Sequence, residues 1–191
     1  MKIIGISGPM GSGKSTFANI ARALGYPVFI SDDVSNALLD SIENRQIISS
    51  WWGEKVLLPD GRPDRTAIAN LVFSSAEELA KLNALLHPQV LKTFDDFVEA
   101  NVHHPFIFRE SALLLPQITA QTHLMLAVLA PESEMMKRVF ARSGMSEAEY
   151  RRRRLRQPSI KEYIKYTDVI VINTSKYSML EQFEIILNSN R

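Results

Sequence analysis

The stretch GPMGSGKST, Gly8 to Thr16, decides the fold of this chain. It contains the full spacing G-x-x-x-x-G-K-[ST], which is typical of a loop that holds phosphate groups. An apolar run, Lys2–Ser7, precedes the loop, and an amphipathic helix is predicted to follow it over Lys14–Leu24. Glycines let such a backbone close around a phosphate, and the helix N-terminus adds partial positive charge. The pattern therefore predicts an α/β protein that begins with a strand, a phosphate loop and a helix.

Two side chains of the loop have predicted roles of their own. Lys14 would bridge the β- and γ-phosphates of a nucleotide, and the hydroxyl of Ser15 would bind Mg²⁺. The alternative is a glycine-rich turn that binds no ligand, and it fits poorly because the motif and its strand–helix context occur together. The residues predicted to bind the phosphates of the nucleotide are Gly8, Gly11, Ser12, Gly13, Lys14, Ser15 and Thr16.

The composition is that of an ordinary globular chain. Its 191 residues suffice for one domain with a sizeable core, and 46% of them are hydrophobic against 23% charged. A net charge of +1 gives no global attraction to nucleic acid or to a membrane surface. The chain has no cysteine, so disulfides and thiol chemistry are excluded. Apolar runs such as Leu124–Ala130 fall far short of the roughly 18 residues of a membrane span. We expect a cytoplasmic protein that binds neither nucleic acid nor membrane.

Short apolar runs alternate with helical patterns along the chain, which predicts the α/β class with a five-stranded parallel sheet flanked by helices. The predicted strands are Lys2–Ser7, Val28–Ile30, Phe106–Phe108, His123–Leu129 and Val169–Ile172.

Between the second and third strands, the sequence predicts helices without a good strand, which would form a helical lobe beside the sheet. These helices are Val34–Ser50, Arg65–Val72, Ala76–Leu86 and Pro88–Asn101. Further helices are predicted over 131–142, from the cap at Ser146 onward, and over Tyr177–Leu187.

Other classes of phosphate-loop protein lack support in the sequence. A switch GTPase would carry a strand ending in Asp-x-x-Gly and an Asn-Lys-x-Asp guanine reader, and neither occurs. A motor ATPase would show four apolar residues before an acid, and Phe106-Ile107-Phe108-Arg109-Glu110 matches that pattern weakly. A small-molecule kinase, with an acceptor pocket and a lid that excludes water, fits better.

Acidic residues follow the second predicted strand, where parallel sheets place their ligands. A carboxylate of Asp32 or Asp33 could accept the proton of an attacking hydroxyl. Equally, either residue could cap the helix expected from Val34. The residues alone favour neither interpretation over the other.

Arginines are concentrated late in the chain. Arg138 and Arg142 are spaced i, i+4 on one helix face and could grip phosphate oxygens, unless that face is simply solvated. The run Arg151–Arg156 holds five arginines, of which one or two could close over ATP. An RNA-binding patch is a weaker interpretation, because the run lacks interleaved aromatic residues.

In sequence order, these residues resemble the dephospho-CoA kinase family over nearly the whole chain. Beyond the loop, Ser31-Asp32 stands at the end of the family's D-A-D motif, although Ile30 replaces its first acid. An acid that commonly follows the family's leucine stretch is Pro116 here, and Glu110 could supply that charge. The remaining matching elements are Trp52-Gly53, 60–65 (DGRPDR), 82–88 (LNALLHP), 112–115 (ALLL), Arg138 with Arg142, Gln157, and 167–173 (TDVIVIN).

The resemblance implies a P-loop kinase fold with three parts: a core of about 1–33, 104–140 and 165–191, a helical substrate lobe of about 34–103, and an arginine-rich lid of about 141–164. It implies an enzyme that transfers the γ-phosphate of ATP to the ribose 3′-hydroxyl of dephospho-CoA, the last step of coenzyme A synthesis. A kinase of another small hydroxylated metabolite or nucleoside is the alternative.

Roles for single residues also follow from the resemblance. Asp32 becomes the general base and a substrate contact, and Lys14, Arg138 and Arg142 act on the phosphates. Arg65 and His87 fall in the substrate lobe, although a lone histidine after an apolar stretch is often structural. Asn173 falls near the adenine of ATP.

Overall fold

In a computed structural model of the chain, residues 1–112 and 119–190 are described. The chain divides into two compact units. The sheet unit comprises Met1–Ile30 and Asn101–Arg191, and the helical unit comprises Ser31–Ala100. Leu113–Leu115, from the leucine stretch of the family resemblance, and Pro116 lie outside the described residues.

The strands of the sheet unit confirm the predicted parallel sheet. In the described part of the chain they pair in the order β2-β3-β1-β4-β5, and every neighbouring pair is parallel. The third strand is two residues longer than predicted, and the fourth begins one residue later. The strands are β1 Lys2–Ser7, β2 Val28–Ile30, β3 Phe106–Glu110, β4 Leu124–Leu129 and β5 Val169–Ile172.

Helices lie between β1 and β2, between β2 and β3 and between β4 and β5, and one more follows β5. None of the helices of residues 1–112 and 119–190 is long and apolar enough to cross a membrane. A short 3-10 turn, Glu54–Val56, lies between α3 and α4. The helices are α1 Lys14–Ala23, α2 Ser31–Leu39, α3 Ile42–Trp52, α4 Arg65–Ser74, α5 Ala76–Ala100, α6 Glu132–Ser143, α7 Glu147–Arg154, α8 Ile160–Lys165 and α9 Met179–Ser189.

The order of the strands creates a switch point between β1 and β3. From β1 the chain moves to β2 on one side, whereas from β3 it returns to β4 on the other side. In open parallel sheets a ligand crevice forms at the carboxyl ends of strands where the connections diverge in this way. The loop after β1 and the end of β3 therefore share the expected binding edge.

The core of the sheet unit lies between one face of the sheet and helices α1 and α9. Phe17 and Ala21 of α1 pack together with Phe183 and Leu187 of α9, and all four are buried. They cover strand residues such as Ile6. Because β1 and α1 are both anchored in this core, the loop that joins them has fixed ends.

One predicted helix of the helical unit is wrong, because Val34–Ser50 is two helices. The chain breaks after Leu39, and α3 starts from Ser41, whose hydroxyl accepts a hydrogen bond from the Asn44 amide at 3.2 Å. The Asn44 side chain in turn donates to the Leu38 carbonyl at 2.8 Å. These side chains satisfy backbone groups that an uninterrupted helix would have paired.

A second correction concerns Pro88, which was expected to separate two helices. Instead α5 runs through it from Ala76 to Ala100. A proline inside a helix costs about 3 kcal/mol, because it removes a hydrogen bond and crowds the preceding turn. Burying one large apolar side chain contributes about 1.5–3 kcal/mol. The residues at four-residue spacing on both sides of Pro88 are buried, and they outweigh that cost: Leu82, Leu86, Val90 and Phe94.

Candidate active site

The phosphate loop of the sheet unit joins β1 to α1. Its glycines Gly11 and Gly13 have φ of 81° and 101°, values that other residues adopt with strain. Gly13 precedes α1, and no side chain of the described residues caps that helix. An anion is the ligand that the first amides of such a helix N-terminus favour.

Close packing also requires the loop glycines. A Cβ atom on Gly8 would lie 2.3 Å from the Val128 carbonyl oxygen, and one on Gly11 would lie 2.4 Å from that of Met135. A Cβ atom on Gly13 would lie 2.0 Å from the Asn173 side-chain nitrogen. The loop is thus pressed against β4, α6 and the residue after β5, which fixes its path.

We expect Gly13→Ala to weaken ATP binding by about 5- to 150-fold, which corresponds to the 1–3 kcal/mol of strain at such a backbone position. The added methyl group would also displace Asn173. Titration calorimetry with ATP measures the loss. Gly25→Ala is the matched control, because Gly25 has φ of 84° but open space around it. Equal ATP affinity in the two variants would contradict the packing argument.

Lys14 and Ser15 begin helix α1 and lie at the switch point. The Lys14 ammonium group donates to the Pro9 carbonyl at 3.3 Å. The Ser15 hydroxyl donates to Oε1 of Glu110 at 3.1 Å. Thr16 is exposed beside them. A cation, a hydroxyl and a carboxyl group therefore gather at one end of the loop.

Glu110 was suggested by the sequence only as a substitute for the acid missing at Pro116, and it was not among the predicted site residues. It ends β3, opposite Ile6 of β1 and Ile30 of β2, and it is 5% exposed. The signal was present as the apolar run before the acid, but Arg109 interrupts the usual four apolar residues. Arg109 is itself buried, with Nη1 donating to Gln121 at 2.8 Å, so the strand accommodates this charge.

The donor set at this position fits Mg²⁺. Within residues 1–112 and 119–190 there is no group of three or more histidine or acidic side chains that could enclose a metal ion. Mg²⁺ does not need one, because it usually binds one or two carboxylates together with phosphates and water. The Ser15 hydroxyl and the Glu110 carboxyl group supply oxygen ligands of that kind.

Arg138 of α6 contacts the back of the loop. One guanidinium nitrogen lies 3.4 Å from the carbonyl oxygens of both Gly11 and Ser12. The other donates to the Asn173 carbonyl at 3.2 Å and pairs with Glu134 at 2.7 Å. Arg138 therefore holds backbone groups of the loop and of the segment after β5.

Asn173 supports the same backbone from the end of β5. Its side-chain nitrogen donates to the Ser12 carbonyl at 2.8 Å, and its own amide donates to Leu129 at 2.8 Å. Ser12 is fully buried beneath these contacts. The structure thus brings together the loop, Arg138 and Asn173, three parts of the site that are distant in sequence.

Arg142 differs from Arg138, although both lie on α6. It is exposed in the last turn, and its side chain makes no hydrogen bond or ion pair within the described part of the chain. Its guanidinium group is therefore available to a ligand. The two arginines lie one turn apart on α6, as predicted. However, Arg138 contacts the phosphate loop, whereas Arg142 is exposed.

The arginine run forms most of helix α7 and the turn after it. Arg151 pairs with Glu147 at 2.6 Å, and Arg153 pairs with Glu149. Arg154 donates to the Pro158 carbonyl at 2.8 Å. Beyond α7, the Gln157 side chain accepts a hydrogen bond from the Met10 amide of the phosphate loop at 2.9 Å.

The helical unit contains the remaining predicted residues. Helix α2 begins at Ser31, directly after β2, so Asp32 and Asp33 lie inside its first turn. The expected helix start near Val34 is therefore wrong, and neither acid caps a helix there. Both carboxyl groups are exposed, and acids in this position are favoured by the partial positive charge of the helix N-terminus.

Arg65 and His87 lie on different helices of the helical unit. Arg65 begins α4, and its guanidinium group pairs with Asp40 at 2.7 Å while about half exposed. His87 lies on α5, partly buried, and burial lowers the pKa of its imidazole below the usual range. Burial therefore favours the uncharged form of this imidazole.

Comparisons with known proteins agree with one another. A family model described as dephospho-CoA kinase matches residues 2–178. A dephospho-CoA kinase of Thermus thermophilus is 36% identical over 181 residues, which cover 94% of this chain and 87% of that protein. A crystal structure of the Thermus thermophilus protein TT1252 superposes with a TM-score of 0.88 at 34% identity, covering 100% of this chain and 98% of the other.

A more distant structure shares the fold. Dephospho-CoA kinase from Campylobacter jejuni superposes with a TM-score of 0.69 at 23% identity, and the alignment covers 98% of this chain and 96% of that one. The five-stranded parallel sheet with its flanking helices is therefore a P-loop kinase fold.

Proposed function

The chain belongs to the dephospho-CoA kinase family, and we propose which of its residues perform the reaction. In this reaction the γ-phosphate of ATP is transferred to the ribose 3′-hydroxyl of 3′-dephospho-CoA. The products are CoA and ADP, in the last step of coenzyme A synthesis. The observation that carries this function is the family match over residues 2–178. The phosphate loop alone would not identify the acceptor, because kinases of many substrates share it.

The donor site is formed by the loop. Its amides and Lys14 hold the phosphates of ATP, and the residues in contact are Gly8, Gly11, Ser12, Gly13, Lys14, Ser15 and Thr16. Preorganised donors of this kind stabilise the charge that develops on the transferring group. Arg138 and Asn173 keep the loop in shape by their bonds to its carbonyl groups. Asn173 is proposed to lie near the adenine, and Arg138 to act on the phosphates from beside the loop.

A magnesium ion would be held by Ser15 and Glu110 together with the phosphates of ATP. When bound, Mg²⁺ neutralises negative charge on the β- and γ-phosphates. The hydrogen bond between these two side chains supports this assignment, because it keeps two oxygen ligands 3.1 Å apart.

A substitution of Glu110 tests that assignment. Glu110→Gln keeps an oxygen that can accept from Ser15 but removes the negative charge. We expect the Mg²⁺ concentration at half-maximal velocity to rise about 10- to 100-fold, as for other groups that orient metal ligands. Glu184→Gln on the exposed face of α9 is the control. An unchanged Mg²⁺ dependence in Glu110→Gln would refute the role of Glu110.

Asp32 is proposed to accept the proton of the 3′-hydroxyl. It lies two residues after the end of β2 and is exposed. An exposed carboxylate near a strand end can orient the hydroxyl and take its proton as the new bond to phosphorus forms.

The acceptor is proposed to lie on the helical unit, the substrate lobe of about 34–103. The half-exposed guanidinium group of Arg65 suits the diphosphate of dephospho-CoA, because arginine binds phosphate oxygens in a bidentate manner. His87 would contribute a hydrogen bond rather than a charge, since burial lowers its pKa. The segment 141–164, which contains α7 and α8, is proposed as the lid, with Arg142 at its start.

An assay of ADP release tests the function directly. With Mg²⁺ and ATP present, 3′-dephospho-CoA should stimulate ADP formation, and CoA should appear in equal amount. A panel of other hydroxylated metabolites and nucleosides serves as the control. Stimulation by another acceptor in preference to dephospho-CoA would overturn the assignment. We expect the reaction in the cytoplasm, where cell fractionation would find the protein.

A further inference from the structure

Met10 of the phosphate loop is bound twice by the segment around α7. Its amide donates to Oε1 of Gln157 at 2.9 Å. Its side chain packs against an apolar cluster that includes the buried Met135 and Val139 of α6 and Tyr150 of α7. Both contacts lie inside the sheet unit.

Gln157 is itself fixed to the end of α7. Its amide donates to the Arg154 carbonyl at 3.1 Å, and the Arg154 guanidinium group donates to the Pro158 carbonyl at 2.8 Å. The turn after α7 is therefore closed by its own hydrogen bonds. A bond from this turn to the loop ties the whole arginine-bearing helix to the place where ATP phosphates bind.

This bond differs from those of Arg138 and Asn173. Those residues donate to loop carbonyl groups, whereas Gln157 accepts from a loop amide. Amides of this loop are the groups that face phosphates. The Met10 amide is instead engaged by Gln157, so this bond fixes the loop backbone next to the amides proposed to bind the phosphates.

We propose that Gln157 is a positioning residue for phosphoryl transfer: its bond to the Met10 amide holds helix α7 on the phosphate loop and so keeps water away from the γ-phosphate. This inference rests on the proposed function. Gln157 does not contact the reacting atoms in this proposal; it affects the ratio of phosphoryl transfer to ATP hydrolysis.

The two reactions differ in the attacking oxygen. In transfer, the 3′-oxygen bonds to the γ-phosphorus, the bond to the β–γ bridging oxygen breaks, and the hydroxyl proton leaves to the base. In hydrolysis, a water oxygen takes the place of the 3′-oxygen, and the products are ADP, inorganic phosphate and a proton. A loose lid favours hydrolysis, because a closed site is what excludes water.

Gln157→Leu removes the acceptor, and Gln157→Asn shortens it beyond reach of the Met10 amide. In both variants we expect the ratio of inorganic phosphate to CoA to rise about 2- to 12-fold, the factor that corresponds to the net contribution of one hydrogen bond. Exchange of the Met10 amide with solvent in the unliganded protein, followed by NMR, should accelerate by a similar factor.

Ser178→Ala is the matched control, because it also removes a side-chain acceptor from a backbone amide, that of Glu181 at the start of α9. It should lower stability without changing the product ratio or the Met10 exchange. If the Gln157 variants behave like Ser178→Ala, the residue is merely structural and the proposal is wrong. The exchange measurement needs no acceptor, so it tests the bond between Gln157 and the Met10 amide even if dephospho-CoA fails as substrate.

Discussion

Asp32→Asn should lower kcat by about 10²- to 10⁴-fold while ATP affinity stays nearly constant. A general base contributes a factor of that size to transfer, and the asparagine amide cannot take up the proton. ATP affinity should persist because the phosphates are held by the loop and Lys14. Steady-state formation of CoA gives kcat, and calorimetry gives the dissociation constant of ATP.

Asp33→Asn is the matched control for this experiment. Both acids lie in the first turn of α2 and are exposed, so each should contribute a similar 0.3–1 kcal/mol to the helix N-terminus. Successive residues on a helix point about 100° apart, so the two carboxyl groups do not face the same direction. A larger loss of kcat in Asp33→Asn would move the base by one residue. An unchanged kcat in both variants would show that the general base does not lie in this turn.

Local sequence patterns were sufficient for most of the sheet unit. Most strands are short apolar runs bounded by turn residues, and the phosphate loop fixes the first strand and helix by its own spacing. In this unit the prediction missed helix α8 and the two charged residues that end β3. The larger errors lie in the helical unit, at Ser41 and Pro88. At Ser41 one helix has ended and another starts, with the Ser41 side chain as its N-cap. A serine at this position is equally compatible with a loop or a continuous helix, so the sequence does not reveal the break. Pro88 stays inside a helix because of burial on both sides, which is a tertiary effect that single residues do not reveal.

The site was predictable where one motif carries it, and less so where distant segments meet. Lys14 and Ser15 follow from the loop pattern alone. Glu110 reaches Ser15 because strand order places β3 beside β1, which no local pattern encodes. The contact of Gln157 with Met10 joins residues 147 positions apart. Contacts of this range depend on packing of the whole unit.

Removing the guanidinium group of Arg142 should have the largest effect on the rate. Arginine that stabilises the transferring phosphoryl group accounts for about 10³- to 10⁵-fold in kcat in related systems. Arg138 is engaged by loop carbonyl groups and Glu134, whereas Arg142 is exposed and has no partner within the described part of the chain. Arg142 is therefore the arginine of α6 that can bind the transferring phosphoryl group in the transition state.

We expect Arg142→Ala to lower kcat by about 10³-fold or more, while the dissociation constant of ATP rises less than tenfold, because an interaction made mainly in the transition state leaves ground-state binding almost intact. Arg142→Lys should recover part of the rate, since it keeps the charge but loses the bidentate fork. Lys137→Ala removes an exposed positive charge from the same helix and should retain full kcat. If Arg142→Ala matches Lys137→Ala in both rate and ATP affinity, Arg142 belongs to a solvated face and the transition-state charge is stabilised elsewhere, with the arginines of α7 the next to be replaced.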